Sequence, residues 1–235
     1  GMNDTHFVNP TGLPAEGHVT SAYDIALMSR ELILNHPDIR QFTTIWMDTL
    51  RDGAFTLSNT NRLVRYYEGT TGLKTGSTDA AGYCLSATAE RDGMELIAVI
   101  LKAPTSDQRF SGAQALLNYG FSLYTLVDVT PEQVLPALPV TLGSSDFVQP
   151  VLGEGSELLL EKPVAADLSQ QVLLPESLKA PIQAGEELGQ LLVTSGGETV
   201  AAIPIVAGEA VERLGYGQIL VNFLKTAFLM EPFHG

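Results

Sequence analysis

The chain has 235 residues, 45% hydrophobic and 17% charged, which is the composition of a folded globular protein and not of a disordered one. Its 13 Lys and Arg against 27 Asp and Glu give a formal net charge of −14, and no basic cluster stands out against that excess, so the charge argues against a nucleic-acid partner. The single cysteine, Cys84, excludes an internal disulfide and leaves the compartment open.

The chain begins Gly1-Met2-Asn3-Asp4, with neither the basic region nor the apolar core of a signal peptide. An extended segment is expected to about Phe7, followed by turn chemistry at Asn9-Pro10-Thr11-Gly12-Leu13-Pro14. Thr20 or Ser21 caps a helix whose apolar positions are Ile25, Leu27, Met28, Leu32 and Ile33, and Asn35-His36-Pro37 stops it. Thr44–Leu50 and Phe55–Leu57 read as strands joined by Arg51-Asp52-Gly53, and Leu63–Tyr67 is ambiguous. Three antiparallel strands follow, Leu73–Ser77, Tyr83–Ala89 and Met94–Leu101, with Arg91-Asp92-Gly93 as the turn between the last two. Ser106 caps the next helix, Phe110, Ala113, Leu116 and Leu117 line one of its faces, and Gly120 closes it.

After Val129 the composition changes. Prolines punctuate short apolar runs at Val140–Leu142, Leu158–Leu160, Val172–Leu174, Leu188–Thr194 and Val200–Val206, the spacing of a small all-β domain, with Ser195-Gly196-Gly197 as a hairpin turn. A boundary near 128–135 divides the chain into a first domain (1–130), a β-rich second domain (131–212) and an apolar C-terminal segment (213–235). The strongly apolar stretch 215–230 is shorter than the ~20 residues a bilayer crossing needs. It reads either as a helix packed on the β-domain or as an interfacial helix on a membrane surface.

The richest segment is Gly72-Leu73-Lys74-Thr75-Gly76-Ser77-Thr78-Asp79-Ala80-Ala81-Gly82-Tyr83-Cys84-Leu85. Strand alternation puts Lys74 and Gly76 on one face and Thr75 on the other. Beside a cleft, the ammonium raises the local potential, the hydroxyl binds a carboxylate, and glycine admits an acyl donor close to the backbone. The Ser77 amide is then placed to donate to an oxyanion. Taken as a bare triplet, Lys-Thr-Gly reads first as a surface turn with a lysine in it, because three common residues recur by chance. Cys84 lies in an apolar run and reads as an inert buried thiol. His6 and His18 lack a third metal ligand at a recognisable spacing, His36 reads as structural and Asp79 as a turn residue. Trp46, Tyr66 and Tyr67 read as core or cleft lining, and no cofactor is called for.

With its hairpin, apolar strand and helix, that segment resembles the low-molecular-mass penicillin-binding proteins, the serine D-alanyl-D-alanine carboxypeptidases. Asn3-Asp4-Thr5-His6-Phe7, Asn9-Pro10, Gly12-Leu13 and Ser58-Asn59-Thr60-Asn61 share the resemblance, as do the β-rich residues 135–212 and the apolar C-terminal segment. It implies a partial transpeptidase domain of the penicillin-binding and β-lactamase type, α/β (α+β) with an antiparallel sheet and helices, followed by a small all-β domain. It implies that Lys74, Thr75 and Gly76 belong to the catalytic site, that Thr75 and Ser77 bind substrate, and that Arg109 lies near the substrate's terminal carboxylate. The solvated alternative for Arg109 is a first-turn side chain facing water. The implied substrate is a peptidoglycan pentapeptide stem ending in D-Ala-D-Ala. The implied location is the outer face of the bacterial cytoplasmic membrane, with β-lactams acylating the full-length protein.

Two motifs of that family are missing. No Ser is followed by Lys three residues on, and no Ser by Asn two residues on. Acyl transfer requires an activated hydroxyl, so the chain alone is expected to be inactive. A truncated chain, a cleaved chain or a degenerate protein kept for binding each explains the gap, and the uneroded Lys74-Thr75-Gly76 favours truncation. Truncation would expose the sheet's apolar face, so that the fragment either dimerises through it or rearranges. The alternative function is a non-catalytic cell-envelope binding module.

Overall fold

A computed structural model describes residues 1–227. The chain forms two compact units, Gly1–Thr125 and a second that begins at Leu126.

Helix α1 (Ala22–Asn35) starts where the Ser21 hydroxyl accepts the Asp24 N–H, and it ends at His36-Pro37, where proline cannot continue it. It buries Asp24, Ser29 and Ile33; of the expected apolar positions Ile33 is buried, Ile25, Leu27 and Leu32 are half-buried and only Met28 is exposed, so the apolar stripe shares its inner face with two polar residues. The reason is polar pairing. The Asp24 carboxylate accepts the Asp4 N–H at 2.9 Å and the Thr5 hydroxyl at 2.6 Å, and the Ser29 hydroxyl meets that of Ser86 at 2.7 Å. A short helix α2 (Arg40–Thr43) leads into strands β1 (Met47–Leu50) and β2 (Phe55–Ser58), and a single helical turn α3 (Leu63–Tyr66) occupies the ambiguous stretch.

The central sheet has the order β3 (Thr70–Thr78), β4 (Gly82–Arg91), β5 (Met94–Ala103), all antiparallel. The β4–β5 turn is Asp92-Gly93, with φ of 50° and 77°, both positive as the tight hairpin turn matching strand twist requires. Ser86 and Thr88 share one face of the sheet with Val99 and Ile97, and α1 reaches that face through Ser29. Leu85, Ala87 and Ala89 share the other with Ile100, Ala98 and Leu96, where α4 (Ser106–Leu123) packs. The cap of α4 is Thr105, one residue before the expected Ser106, because the Thr105 hydroxyl accepts the Gln108 N–H. Gly120 does not end the helix. A Cβ there would stand 2.6 Å from the Leu96 Cδ1, so this glycine marks close helix–sheet packing and the helix runs on to Leu123.

Helices thus cover both faces of the central sheet, and the exposed apolar surface lies elsewhere. Met47, Leu50, Phe55 and Leu57 of the β1–β2 hairpin are all exposed, so the expectation of a bare central sheet gives way to a bare hairpin.

Strand β6 (Tyr124–Asp128) carries the chain into the second unit. There β7 (Leu138–Thr141), β8 (Phe147–Val148), β9 (Pro150–Leu152), β10 (Glu157–Glu161), the turn α5 (Lys162–Ala165), β11 (Leu168–Leu173), β12 (Leu178–Lys179), β13 (Glu187–Ser195) and β14 (Glu198–Ala207) follow. A four-stranded sheet has the order β11-β13-β14-β9 and a three-stranded one β12-β7-β8. Alternation along β13 buries Leu191 and Val193 against Ile203 and Ile205 of β14, and a second core gathers Val140, Val148 and Ile182. Helix α6 (Tyr216–Ala227) leaves Leu220, Val221, Phe223 and Leu224 exposed. Phe228, Leu229 and Met230, the end of the expected apolar stretch, lie outside the described residues. Among those residues no helix is long and apolar enough to cross a membrane.

Asp24→Ala removes a buried acceptor for two donors and is expected to cost about 2–3 kcal/mol. Urea unfolding should show a lowered midpoint at unchanged slope. An unshifted midpoint would contradict the assignment of Asp24 as the anchor of the N-terminal segment.

Candidate functional site

Strand β3 is threonine-rich, which suits a pleated strand, and among the described residues it pairs on one side only, with β4. Lys74 is exposed, Thr75 buried and Gly76 exposed, so the expected alternation is present through Gly76. Ser77 is exposed as well. Opposite residues share a face, so Lys74 lies beside Ser86 on the α1 side and Thr75 beside Leu85 on the α4 side. The Lys74 ammonium donates to the Thr75 carbonyl. The Thr75 and Thr60 hydroxyls share a hydrogen bond of 2.6 Å.

Thr60 sits in a polar strap that the sequence flagged only by family resemblance. Asn61, 1% exposed, donates from its side chain to the Gly72 carbonyl at 2.9 Å and accepts the Leu63 N–H at 3.2 Å. Asn59 donates to the Thr43 and Ile45 carbonyls at 3.2 and 3.0 Å. Thr43 in turn donates to the Thr71 carbonyl at 2.6 Å. The signal available in the sequence was Asn-Thr-Asn itself, since these side chains compete for backbone groups where no regular ladder exists.

Gly72 and Gly76 answer different demands. A Cβ at Gly72 would lie 3.0 Å from the Thr43 Cβ, so any larger residue there would have to push the Thr43 side chain aside by a few tenths of an ångström. A Cβ at Gly76 would meet nothing within 4 Å, and its φ is not in the left-handed region. Neither packing nor backbone conformation asks for glycine at 76. Across the ladder from Gly76 stands Cys84, which is half-buried and not the buried thiol expected, because Gly76 has no side chain to cover it. Its thiol donates to the Ala81 carbonyl at 3.4 Å.

Arg109 is 8% exposed and is not a solvated first-turn side chain. Its Nη1 donates to the Gly76 and Cys84 carbonyls, both at 3.3 Å, and its guanidinium lies over Phe110 at 4.8 Å and Tyr83 at 5.5 Å. Burial first, and then the charge of Arg62, hold its pKa below the ordinary arginine value, while Cys84 and Tyr83 pull the other way. It stays protonated all the same. Its Nε is buried without a partner. The fold therefore brings Arg109 to the motif strand, held against the backbone of Gly76.

The remaining singled-out residues fall away from this strand or play structural parts. His18 Nδ1 accepts the Val8 N–H at 2.9 Å, and His6 forms a β-bridge with Val19. Asp79 is exposed in the β3–β4 turn. Arg65 lies over both Trp46 and Tyr66, whose rings meet edge-on at 6.1 Å, and Tyr67 donates to Asn118. No cluster of three His, Cys, Asp or Glu that could hold a metal occurs among the described residues.

Residues 1–105 match the family described as D-alanyl-D-alanine carboxypeptidase, and residues 129–213 match the penicillin-binding protein 5 C-terminal domain. The D-alanyl-D-alanine carboxypeptidase DacF of Bacillus subtilis is 37% identical over 230 residues, covering 96% of this chain and 58% of the relative. By sequence the chain belongs to the D-alanyl-D-alanine carboxypeptidases, the low-molecular-mass penicillin-binding proteins. DacC of Escherichia coli is 29% identical over 234 residues, 97% of this chain and 57% of the relative. The fold agrees. Penicillin binding protein 5 from Haemophilus influenzae superposes with a TM-score of 0.69 at 24% identity, covering 91% of this chain and 62% of that one. The expected carboxypeptidase fold, a mixed α/β part followed by a small β-domain, is the fold observed. The chain spans under three fifths of the length of these two curated relatives, at 58% and 57%.

Arg109→Met keeps apolar bulk but strips two strand carbonyls of their donor, and it is expected to cost about 2–3 kcal/mol in thermal or urea unfolding. Gly76→Ala fills open space and should change stability by no more than about 0.5 kcal/mol. A large loss at Gly76 with none at Arg109 would reverse the assignment of which residue serves the fold.

Proposed function

We propose that this chain is part of a serine D-alanyl-D-alanine carboxypeptidase of peptidoglycan maturation and supplies the substrate-facing wall of its cleft. The observation that carries this reading is Gly76: a glycine that neither packing nor backbone conformation requires, exposed on an edge strand two residues after Lys74 and just before Ser77. A substrate acyl group can approach the backbone there without meeting a Cβ.

In this reading the Lys74 ammonium attracts the terminal carboxylate of a stem peptide ending in D-Ala-D-Ala and lowers the cost of negative charge at a nearby serine. The Thr75 hydroxyl, held by Thr60, binds that carboxylate. The Ser77 N–H donates to the oxyanion that forms as the serine oxygen adds to the carbonyl. Arg109 acts through the strand, fixing the Gly76 backbone and adding positive potential behind it. The nucleophile comes from a Ser-x-x-Lys motif that these residues do not include, so the chain alone binds without forming an acyl-enzyme. In the longer protein, β-lactams acylate the same serine. Residues 1–130 serve the catalytic domain, 131–212 the β-rich domain, and 215–230 meet the outer surface of the cytoplasmic membrane. A second copy pairs with the isolated chain through the exposed β1–β2 hairpin.

The absence of Ser-x-x-Lys and Ser-x-Asn favours a second reading, a cell-envelope binding module without catalysis. A fluorescent penicillin separates the two. The longer protein carrying this chain should be labelled, and Lys74→Ala should slow labelling by about 10²–10³-fold, the scale of losing one preorganised charge-stabilising group. The chain of 235 residues alone should stay dark. An unlabelled but folded longer protein that still binds stem peptide would establish the binding-module reading instead.

A further inference from the structure

The charge of the chain is unevenly placed. After residue 125 there are 4 Lys and Arg against 14 Asp and Glu, so the β-rich unit carries −10 of the total −14. Within it, the segment after β6 stands away from β11 and leaves an open groove of about 850 Å³. Val134, Leu135, Val172 and Leu174 give the groove an apolar lining, and Asp128 and Glu132 are the charged groups on it. Val134 is 87% exposed, a large apolar side chain left in water.

Two features make this more than a surface hollow. First, β11 is an edge strand: it pairs with β13 and with no other strand among the described residues. An edge strand offers unpaired N–H and C=O groups in a row. Second, the segment facing it is tied in place. Gln170 donates to the Val129 carbonyl at 3.2 Å, and Asp128 accepts both the Thr130 N–H at 2.9 Å and its hydroxyl at 2.6 Å. Those two bonds keep the Asp128 carboxyl below its ordinary pKa, so the groove's charge persists in mildly acidic surroundings.

We infer that the groove beside β11 is a docking site for an extended basic peptide segment, which adds to the free edge of β11, places apolar side chains on Val134 and Val172, and sets Lys or Arg against Glu132 and Asp128. Strand addition supplies main-chain hydrogen bonds, and alternate side chains supply specificity. Charge complementarity selects the occupant: no cation lines the groove, and the unit around it repels acidic or nucleic-acid partners. The inference concerns the β-rich unit and stands apart from the carboxypeptidase reading.

The probe is an acetylated, amidated Lys-Val-Lys-Val-Lys-Val peptide titrated into the full chain, followed by amide NMR shifts. Shifts clustered at 128–136 and 168–174 are expected, with binding weakened several-fold between about 50 and 500 mM salt. Glu132 is exposed, so Glu132→Lys leaves folding intact and is expected to weaken binding at least tenfold. The proposal fails if Glu-Val-Glu-Val-Glu-Val binds as well as the basic peptide, if Glu132→Lys leaves binding unchanged, or if the shifts fall elsewhere. It also fails if the peptide-free chain shows concentration-dependent shifts at the same residues, which would make the groove a contact between copies.

Discussion

An edge strand has a ladder on one side only, so its position and register are poorly determined by the sheet itself. The candidate site rests on how β3 escapes that weakness. Asn61 holds the Gly72 carbonyl, Thr43 the Thr71 carbonyl, Thr60 the Thr75 hydroxyl, and Arg109 the Gly76 carbonyl. None of these is a strand-to-strand bond. The strand is pinned by side chains, which leaves Lys74, Gly76 and Ser77 free to face outward. A fourth strand in the same place would have fixed β3 more firmly and closed the approach to it.

The same economy shapes the central sheet. Ser29 and Ser86 place hydroxyls between α1 and the sheet, Thr71 and Thr88 join β3 to β4, and Thr71 also donates to Glu95 at 2.6 Å. Arg40 joins that network through Glu90 at 2.8 Å and through Glu95. The opposite face is apolar, with Leu85 of β4 and Phe110, Ala113 and Leu117 of α4 all buried. One side of the sheet is thus fixed by directional bonds and the other by packing. Lys74 projects on the hydrogen-bonded side, where small polar neighbours leave room.

Turns and strands were legible where a local rule decides them. Asp92-Gly93 and Gly196-Gly197 stand at hairpin tips with positive φ, as their dipeptides require. The strand runs of the β-rich unit were readable because alternation there coincides with burial, as at Leu191 and Val193. The reading failed where one residue type serves two purposes. Gly120 read as a helix stop but makes room for Leu96, and Met28 read as part of the apolar stripe of α1 but stands exposed while Asp24 and Ser29 turn inward. Spacing records which residues share a face; it does not record which face finds a polar partner far along the chain.

By itself the sequence determined the family, the motif on β3, the alternation of Lys74, Thr75 and Gly76, and the acidic bias of the second unit. Each follows from local order or from composition. Only the tertiary structure decided that Arg109 grips the Gly76 backbone across 33 residues of chain, that Thr60 meets Thr75 across 15, and that Gly76 has open space before it. The reason is physical. A hydrogen bond between distant segments depends on where folding brings them, and the emptiness in front of a glycine depends on every residue that is not there.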